Sequence, residues 1–181
     1  MKVLDRKEAD LKVLISQEEL NNRLKELGKI VDNEFKDADE LFVICVLKGA
    51  VMFCCDFAKC VSMPVQMEFI RISSYGDKAR STNNLKAIDL TLPDMHQKDV
   101  LIVEDIVDTG LTAKFLIDLI NMEHQPRRLR FLSLLNKKCA RKIDIDPDFY
   151  GFEVDDKFVV GYGLDYKGYY RNLPYIGYFP Q

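Results

Sequence analysis

Val100-Leu101-Ile102-Val103-Glu104-Asp105-Ile106-Val107-Asp108-Thr109-Gly110-Leu111-Thr112 sets an apolar run against two adjacent carboxylates, a third carboxylate and a Thr-Gly-x-Thr turn. The run from Val100 to Val103 predicts a strand covered on both faces, followed by an acidic turn and a helix from Leu111 to Met122. The backbone amides from Asp108 to Thr112, with the hydroxyls of Thr109 and Thr112, make an anion cradle at that helix start, and Gly110 lets the backbone approach closely. A phosphate group suits such a cradle. Glu104 and Asp105 can accept hydrogen bonds from neighbouring ribose hydroxyls and hold Mg²⁺ directly or through water. Asp108 taken alone reads equally well as a helix cap. Three carboxylates within five positions are harder to explain by capping.

Outward from this stretch the pattern repeats. Ser16 and Glu19 form a capping box for a helix over 17–36, with Leu20, Leu24, Leu27 and Val31 on one face. Leu41 to Leu47 reads as a second buried strand, and Gly49 opens an apolar helical segment reaching Val61. Further strands are expected at Val65 to Ser73, Ala87 to Leu92, 129–135 and Phe158 to Val160. Residues 77–86 are polar and aperiodic, which predicts a long loop. Strands alternating with helices predict an α/β fold with a mainly parallel sheet, whose ligands bind beyond the carboxyl ends of the strands. The turns after Leu47, Val103 and Leu135 would meet there.

The 181 residues allow one compact domain, 1–181, and are too few for two of ordinary size. With 26 Lys and Arg against 29 Asp and Glu there is no basic stripe for duplex binding, so no nucleic-acid partner is expected. The longest apolar runs fall short of the roughly 20 residues that span a bilayer, and no membrane partner is expected. The charged start Met1 to Glu8 lacks the apolar core of a signal peptide, which predicts a cytoplasmic protein. Five cysteines, Cys45, Cys54, Cys55, Cys60 and Cys139, sit mostly in apolar runs without a Cys-x-x-Cys pair, and are read as reduced and buried. His96 and His124 lack the neighbours of a metal ligand or catalytic base.

Glu104-Asp105 followed by Asp108-Thr109-Gly110 resembles the phosphoribosyl pyrophosphate motif of the type I phosphoribosyltransferases. Leu47-Lys48-Gly49, Ser73-Ser74-Tyr75-Gly76, Lys137 and Phe158-Val159-Val160-Gly161-Tyr162-Gly163-Leu164-Asp165-Tyr166 resemble the hypoxanthine-guanine branch in order and spacing. The resemblance implies the type I fold, a twisted parallel sheet flanked by helices with a small hood from the terminal segments. It implies purine salvage, joining hypoxanthine or guanine to phosphoribosyl pyrophosphate with Mg²⁺ as cofactor, and a homodimer or homotetramer.

The resemblance also implies roles. Asp108 is the catalytic base. Glu104 and Asp105 take the ribose hydroxyls, and Asp108, Thr109, Gly110, Leu111 and Thr112 the 5′-phosphate. Lys48 and Gly49 line the pyrophosphate site, the Leu47–Lys48 peptide being able to turn cis, and Arg171 reaches it. Lys137 donates to the purine 6-oxo group, Phe158 stacks on the ring and Val159 offers backbone groups to its edge. Asp165 joins Glu104 and Asp105 around the metal. Ser74 and Tyr75 belong to a lid, 74–86, and Arg141 matches a further basic residue. Without the resemblance, Lys48 and Lys137 read as solvated lysines and Phe158 as core. A departure is Ser81-Thr82-Asn83-Asn84, where the family's loop is Ser-rich and closed by glycine. The main rival is a non-catalytic sensor of phosphoribosyl pyrophosphate, which should carry a basic surface or an added DNA-binding domain; neither is visible. A same-fold enzyme acting on xanthine or a pyrimidine is a second rival, and no dinucleotide or P-loop glycine string follows any strand.

Overall fold

The computed structural model describes residues 10–74, 85–89 and 92–180. Ser16 caps the first helix: its hydroxyl accepts from Glu19 N at 3.2 Å, and Glu19 returns a carboxylate to Ser16 N at 2.8 Å. That starts α1 (Gln17–Glu34), which buries Leu20, Leu24, Leu27 and Val31 as the spacing predicts. Then follow β2 (Leu41–Leu47), α2 (Val51–Ala58), β3 (Val65–Ser74), β4 (Leu85–Asp89), β5 (Asp99–Val107), α3 (Leu111–His124), β6 (Arg128–Asn136) and β7 (Phe149–Glu153). Before α1 comes β1 (Lys12–Ile15), and after β7 come β8 (Val159–Val160) and β9 (Ile176–Tyr178).

The main sheet has the order β4-β3-β2-β5-β6-β7, parallel from β3 to β7 with β4 antiparallel at the edge. Alternation along β2 divides the core. Leu41, Val43 and Cys45 face the cluster of α1 and α2, built on Leu27, Val31, Phe53 and Phe57. Phe42, Ile44 and Val46 face the cluster of α3, built on Ala113, Leu116 and Ile120. Both faces are covered, which is why these strands are continuously apolar.

The chain leaves β2 toward β3 and leaves β5 toward β6, in opposite directions, so β2 and β5 flank the switch point where α/β sheets bind ligands. The β2–β5 ladder ends at Cys45 and Val103, whereas β5 stays paired with β6 through Glu104–Ser133 to Val107–Asn136. Glu104 and Asp105 therefore lie in the strand rather than in a turn after it.

Other expectations are corrected by partners distant in sequence. Val159–Val160 does not join the parallel sheet; it pairs antiparallel with β9, which also pairs with β1, making the three-stranded hood. The Tyr175 to Phe179 run, open between interface and core on sequence grounds, contributes buried Ile176 and Phe179 to the hood. Leu85 and Lys86, read as loop, belong to β4, which ends at Asp89 rather than Leu92. The strand Phe149–Glu153 was not expected. All five cysteines are free, but Cys55 and Cys139 are exposed. Among the described residues no helix is long and apolar enough to cross a membrane.

Candidate active site

The overhang of β5 beyond β2 opens a cleft of about 320 Å³. Lys48, Gly49, Glu104, Asp105, Thr112, Asp165 and Arg171 line it together. The Leu47–Lys48 peptide is cis. Gly49 is packed on β5 so closely that an added Cβ would fall 1.5 Å from Asp105 Oδ2. Opposite, Arg171 Nη2 pairs with Asp165 Oδ1 at 2.6 Å, and Arg171 Nη1 donates to the Gly163 carbonyl at 2.5 Å. Asp165 Oδ2 accepts from Gly168 N at 2.6 Å.

An adjoining hollow is lined by Glu104, Val107, Asp108, Gly110 and Thr112. Gly110 is the N-cap of α3, at φ +82°, a conformation open to glycine at no steric cost. It offers no side chain to the first turn, so capping is not done by Asp108. The Asp108 carboxylate instead turns back to accept from Thr109 N, and Leu111 N lies 3.4 Å from Thr109 Oγ1. Asp108 is exposed to this hollow, whereas Glu104 is 6% exposed.

Burial drives the electrostatics. Loss of solvent, then the charges of Asp105 and Asp108, hold the Glu104 carboxyl well above the usual carboxylate range, with Arg141 opposing. Asp105 is pushed up to about 6, chiefly by loss of solvent, against hydrogen bonds from its own and the Ile106 amide and the charge of Arg171. Oxygen-rich clefts of this kind suit a hard cation whose shell is completed by substrate phosphates. Among the described residues no three His, Cys, Asp or Glu side chains gather into a ligand cluster of their own. The carboxylates fit Mg²⁺ only as part of a shell shared with substrate.

Lys137 follows β6 with its side chain 15% exposed. Its ammonium is held by Asp156 Oδ1 at 2.7 Å and lies 3.3 Å from the Lys157 carbonyl. Asp156, invisible to the sequence reading, thus ties Lys137 to the turn that carries Phe158. Phe158 is 56% exposed and meets Tyr166 edge-to-face, centroids 5.8 Å apart, so its apolar character does not make it core. Val159 is buried in the hood sheet. Ser74 ends β3 opposite Leu85, and Tyr75 with residues 76–84 of the expected lid lies outside the described residues.

A second cavity of about 250 Å³ includes Asp37, Glu40, Lys98, Asp99 and Arg127. Most of its charges are mutually paired, Lys98 with Glu40 at 2.8 Å and Arg127 with Asp99 and Asp37, so it reads as a structural network.

The cleft thus lies at the β2–β5 switch point, with Glu104 and Asp105 on one strand and the start of α3 beside them. The family model described as "Phosphoribosyl transferase domain" matches residues 16–167. The chain is 45% identical to the hypoxanthine-guanine phosphoribosyltransferase of Bacillus subtilis over 92% of its own length and 91% of that protein. It is also 42% identical to the bifunctional protein TilS/HprT of Listeria monocytogenes, of which it spans 25%. A Bacillus anthracis hypoxanthine-guanine phosphoribosyltransferase, solved with HEPES in the active site, superposes with a TM-score of 0.87 at 40% identity, over 92% of this chain and 97% of that one. The chain belongs to the hypoxanthine-guanine phosphoribosyltransferase family.

Proposed function

We propose that this chain transfers the 5-phosphoribosyl group from phosphoribosyl pyrophosphate to hypoxanthine or guanine, giving IMP or GMP and pyrophosphate in purine salvage. The observation that carries the reading is that Lys137, a donor-only ammonium, leaves β6 with its backbone amide on the Val107 carbonyl at 2.9 Å, next along the chain to the exposed carboxylate of Asp108 before α3.

In this reading the amides of 108–112 with Thr109 and Thr112 hold the 5′-phosphate, and Glu104 and Asp105 accept from the ribose hydroxyls. Lys48 and Gly49 present backbone groups to pyrophosphate, and Arg171 adds positive charge. Phe158 stacks on the purine while Lys137 donates to its 6-oxo group; an ammonium has no acceptor and cannot serve a 6-amino group. The bond from the anomeric carbon to pyrophosphate breaks as the bond to the purine nitrogen forms, and Asp108 accepts the proton that nitrogen loses. Glu104, Asp105 and Asp165, together with substrate oxygens, would hold Mg²⁺, which would supply charge neutralisation on the leaving pyrophosphate. Ser74 and Tyr75 belong to the lid that excludes water.

The chain acts as a single domain, 1–181, in the cytoplasm, where its free thiols suit a reducing compartment. It assembles as a homodimer or homotetramer; Met52 on α2 and Phe69 on β3, 41% and 44% exposed, are apolar surface that assembly would cover. The test is a nucleobase panel with phosphoribosyl pyrophosphate and Mg²⁺, read by nucleotide detection. Hypoxanthine and guanine should be consumed and adenine hardly at all; efficient AMP synthesis would overturn the reading.

A further inference from the structure

One stretch of chain holds Asp108 from both sides. The Val107 carbonyl accepts from Lys137 N at 2.9 Å, and the Thr109 carbonyl accepts from Lys142 N at 3.0 Å and Ile143 N at 3.2 Å. The segment 137–143 therefore clasps the residue before Asp108 and the residue after it. Its first residue is Lys137, and its 3₁₀ turn, Lys138–Ala140, leads into Arg141.

Arg141 closes the clasp. Its Nη2 donates to Asn136 Oδ1 and lies 3.4 Å from Asp146 Oδ1. Its Cδ lies 3.4 Å from the point a Cβ on Gly110 would occupy. One side chain thus joins the end of β6, the far end of the clasp and the glycine that starts α3. Charge-assisted bonds of this kind are roughly twice as strong as neutral ones, and this one is sheltered, with Arg141 only 13% exposed.

The network is also incomplete. Among the described residues, Arg141 Nη1 and Asn136 Nδ2 are buried without an acceptor. Buried donors are nearly always satisfied by protein or ordered water, and each exception calls for an explanation.

We propose that Arg141 is a positioning residue for the transfer step, fixing Asp108 relative to Lys137 so that proton acceptor and 6-oxo donor keep one spacing across the purine. This rests on the roles given above to Asp108 and Lys137. A proton acceptor displaced by a fraction of an ångström loses rate more than it loses substrate affinity, so kcat is the quantity to read.

The experiment compares Arg141→Gln, Arg141→Lys and Asp146→Asn with the wild type by initial rates and melting temperature, with active sites counted by titration with IMP. Arg141→Gln should lower kcat per active site about tenfold or more, while KM for phosphoribosyl pyrophosphate moves by less than about threefold. Arg141→Lys should recover part of the rate. Asp146→Asn, which alters a side chain 64% exposed and so spares the fold, should lower kcat about two- to threefold. A merely structural arginine would leave kcat per active site unchanged in every folded variant, and that result overturns the proposal. If Arg141→Gln does not fold, native kcat in both other variants overturns it equally. A wild type that makes no nucleotide from any 6-oxopurine would instead overturn the functional reading.

Discussion

The carbonyl oxygen of Gly49 lies 2.0 Å from the point a Cβ on Gly163 would occupy. Gly163 sits at φ +103°, its amide donates to the Arg171 carbonyl at 2.9 Å, and Gly49 in turn rests on Asp105. The hood turn, the loop after β2 and the β5 carboxylate therefore stack with no room for a side chain between them. Gly163→Ala should cost on the order of 1 to 3 kcal/mol in backbone strain alone, lowering the melting temperature by several degrees. It should also raise KM for phosphoribosyl pyrophosphate, because the Gly49 carbonyl must retreat. Thermal scans and initial rates check this; wild-type values for both would mean the stack yields at no cost.

Asp108→Asn should lower kcat by about 10², the usual size of a general-base contribution. Stability should hardly change, since Asp108 is exposed and the asparagine oxygen can still accept from Thr109 N. Steady-state kinetics beside a melting curve separate the two, and near-normal turnover would remove Asp108 from proton transfer.

Lys137→Ala should raise KM for hypoxanthine and guanine about tenfold or more, the scale of one lost charged hydrogen bond. Affinity for phosphoribosyl pyrophosphate should stay nearly unchanged, because the ammonium is held at Asp156 and Lys157 and does not line the cleft of Lys48, Gly49 and Arg171. Titration with each substrate alone is the measurement; a loss confined to phosphoribosyl pyrophosphate would put Lys137 at the other subsite.

Asp105 gives the ligand-free protein a pH dependence. Its folded-state pKa, about 6, lies above the unfolded value near 3.9, so its neutral form contributes stability that is fully present below about pH 4 and lost as pH rises through about 6. Asp105→Asn should therefore melt a few degrees above wild type near pH 8, with the advantage closing near pH 5, while activity falls through the lost ribose contact. Melting curves at the two pH values decide it. A pH-independent gap would show that Asp105 does not titrate in this interval.

The sequence alone determined whatever rests on near neighbours. Alternation and apolar runs set out β2, β5 and β6, Ser16 and Glu19 set the start of α1, and three carboxylates ahead of Thr109-Gly110 picked out residues that line the candidate cleft and hollow, because each depends on residues a few positions apart. The expected turn at Glu104 and Asp105 was replaced by strand because β6, 29 residues on, keeps pairing after β2 has stopped. Lys12–Ile15 is too short to announce a strand, and it becomes one only when Ile176–Tyr178 returns beside it to form the hood. Phe158 reads as core by composition, yet the hood turn leaves it exposed, two residues after Asp156, which pairs with Lys137. Arg141 is local in sequence to Lys137, but its work depends on Val107 to Gly110, which only the β5–β6 ladder and the turns beyond it bring alongside. Hydrogen bonds and apolar contacts are short-ranged, so they write a pattern into the sequence only where their partners are also close along the chain; where chain closure supplies the partner, only the folded structure decides.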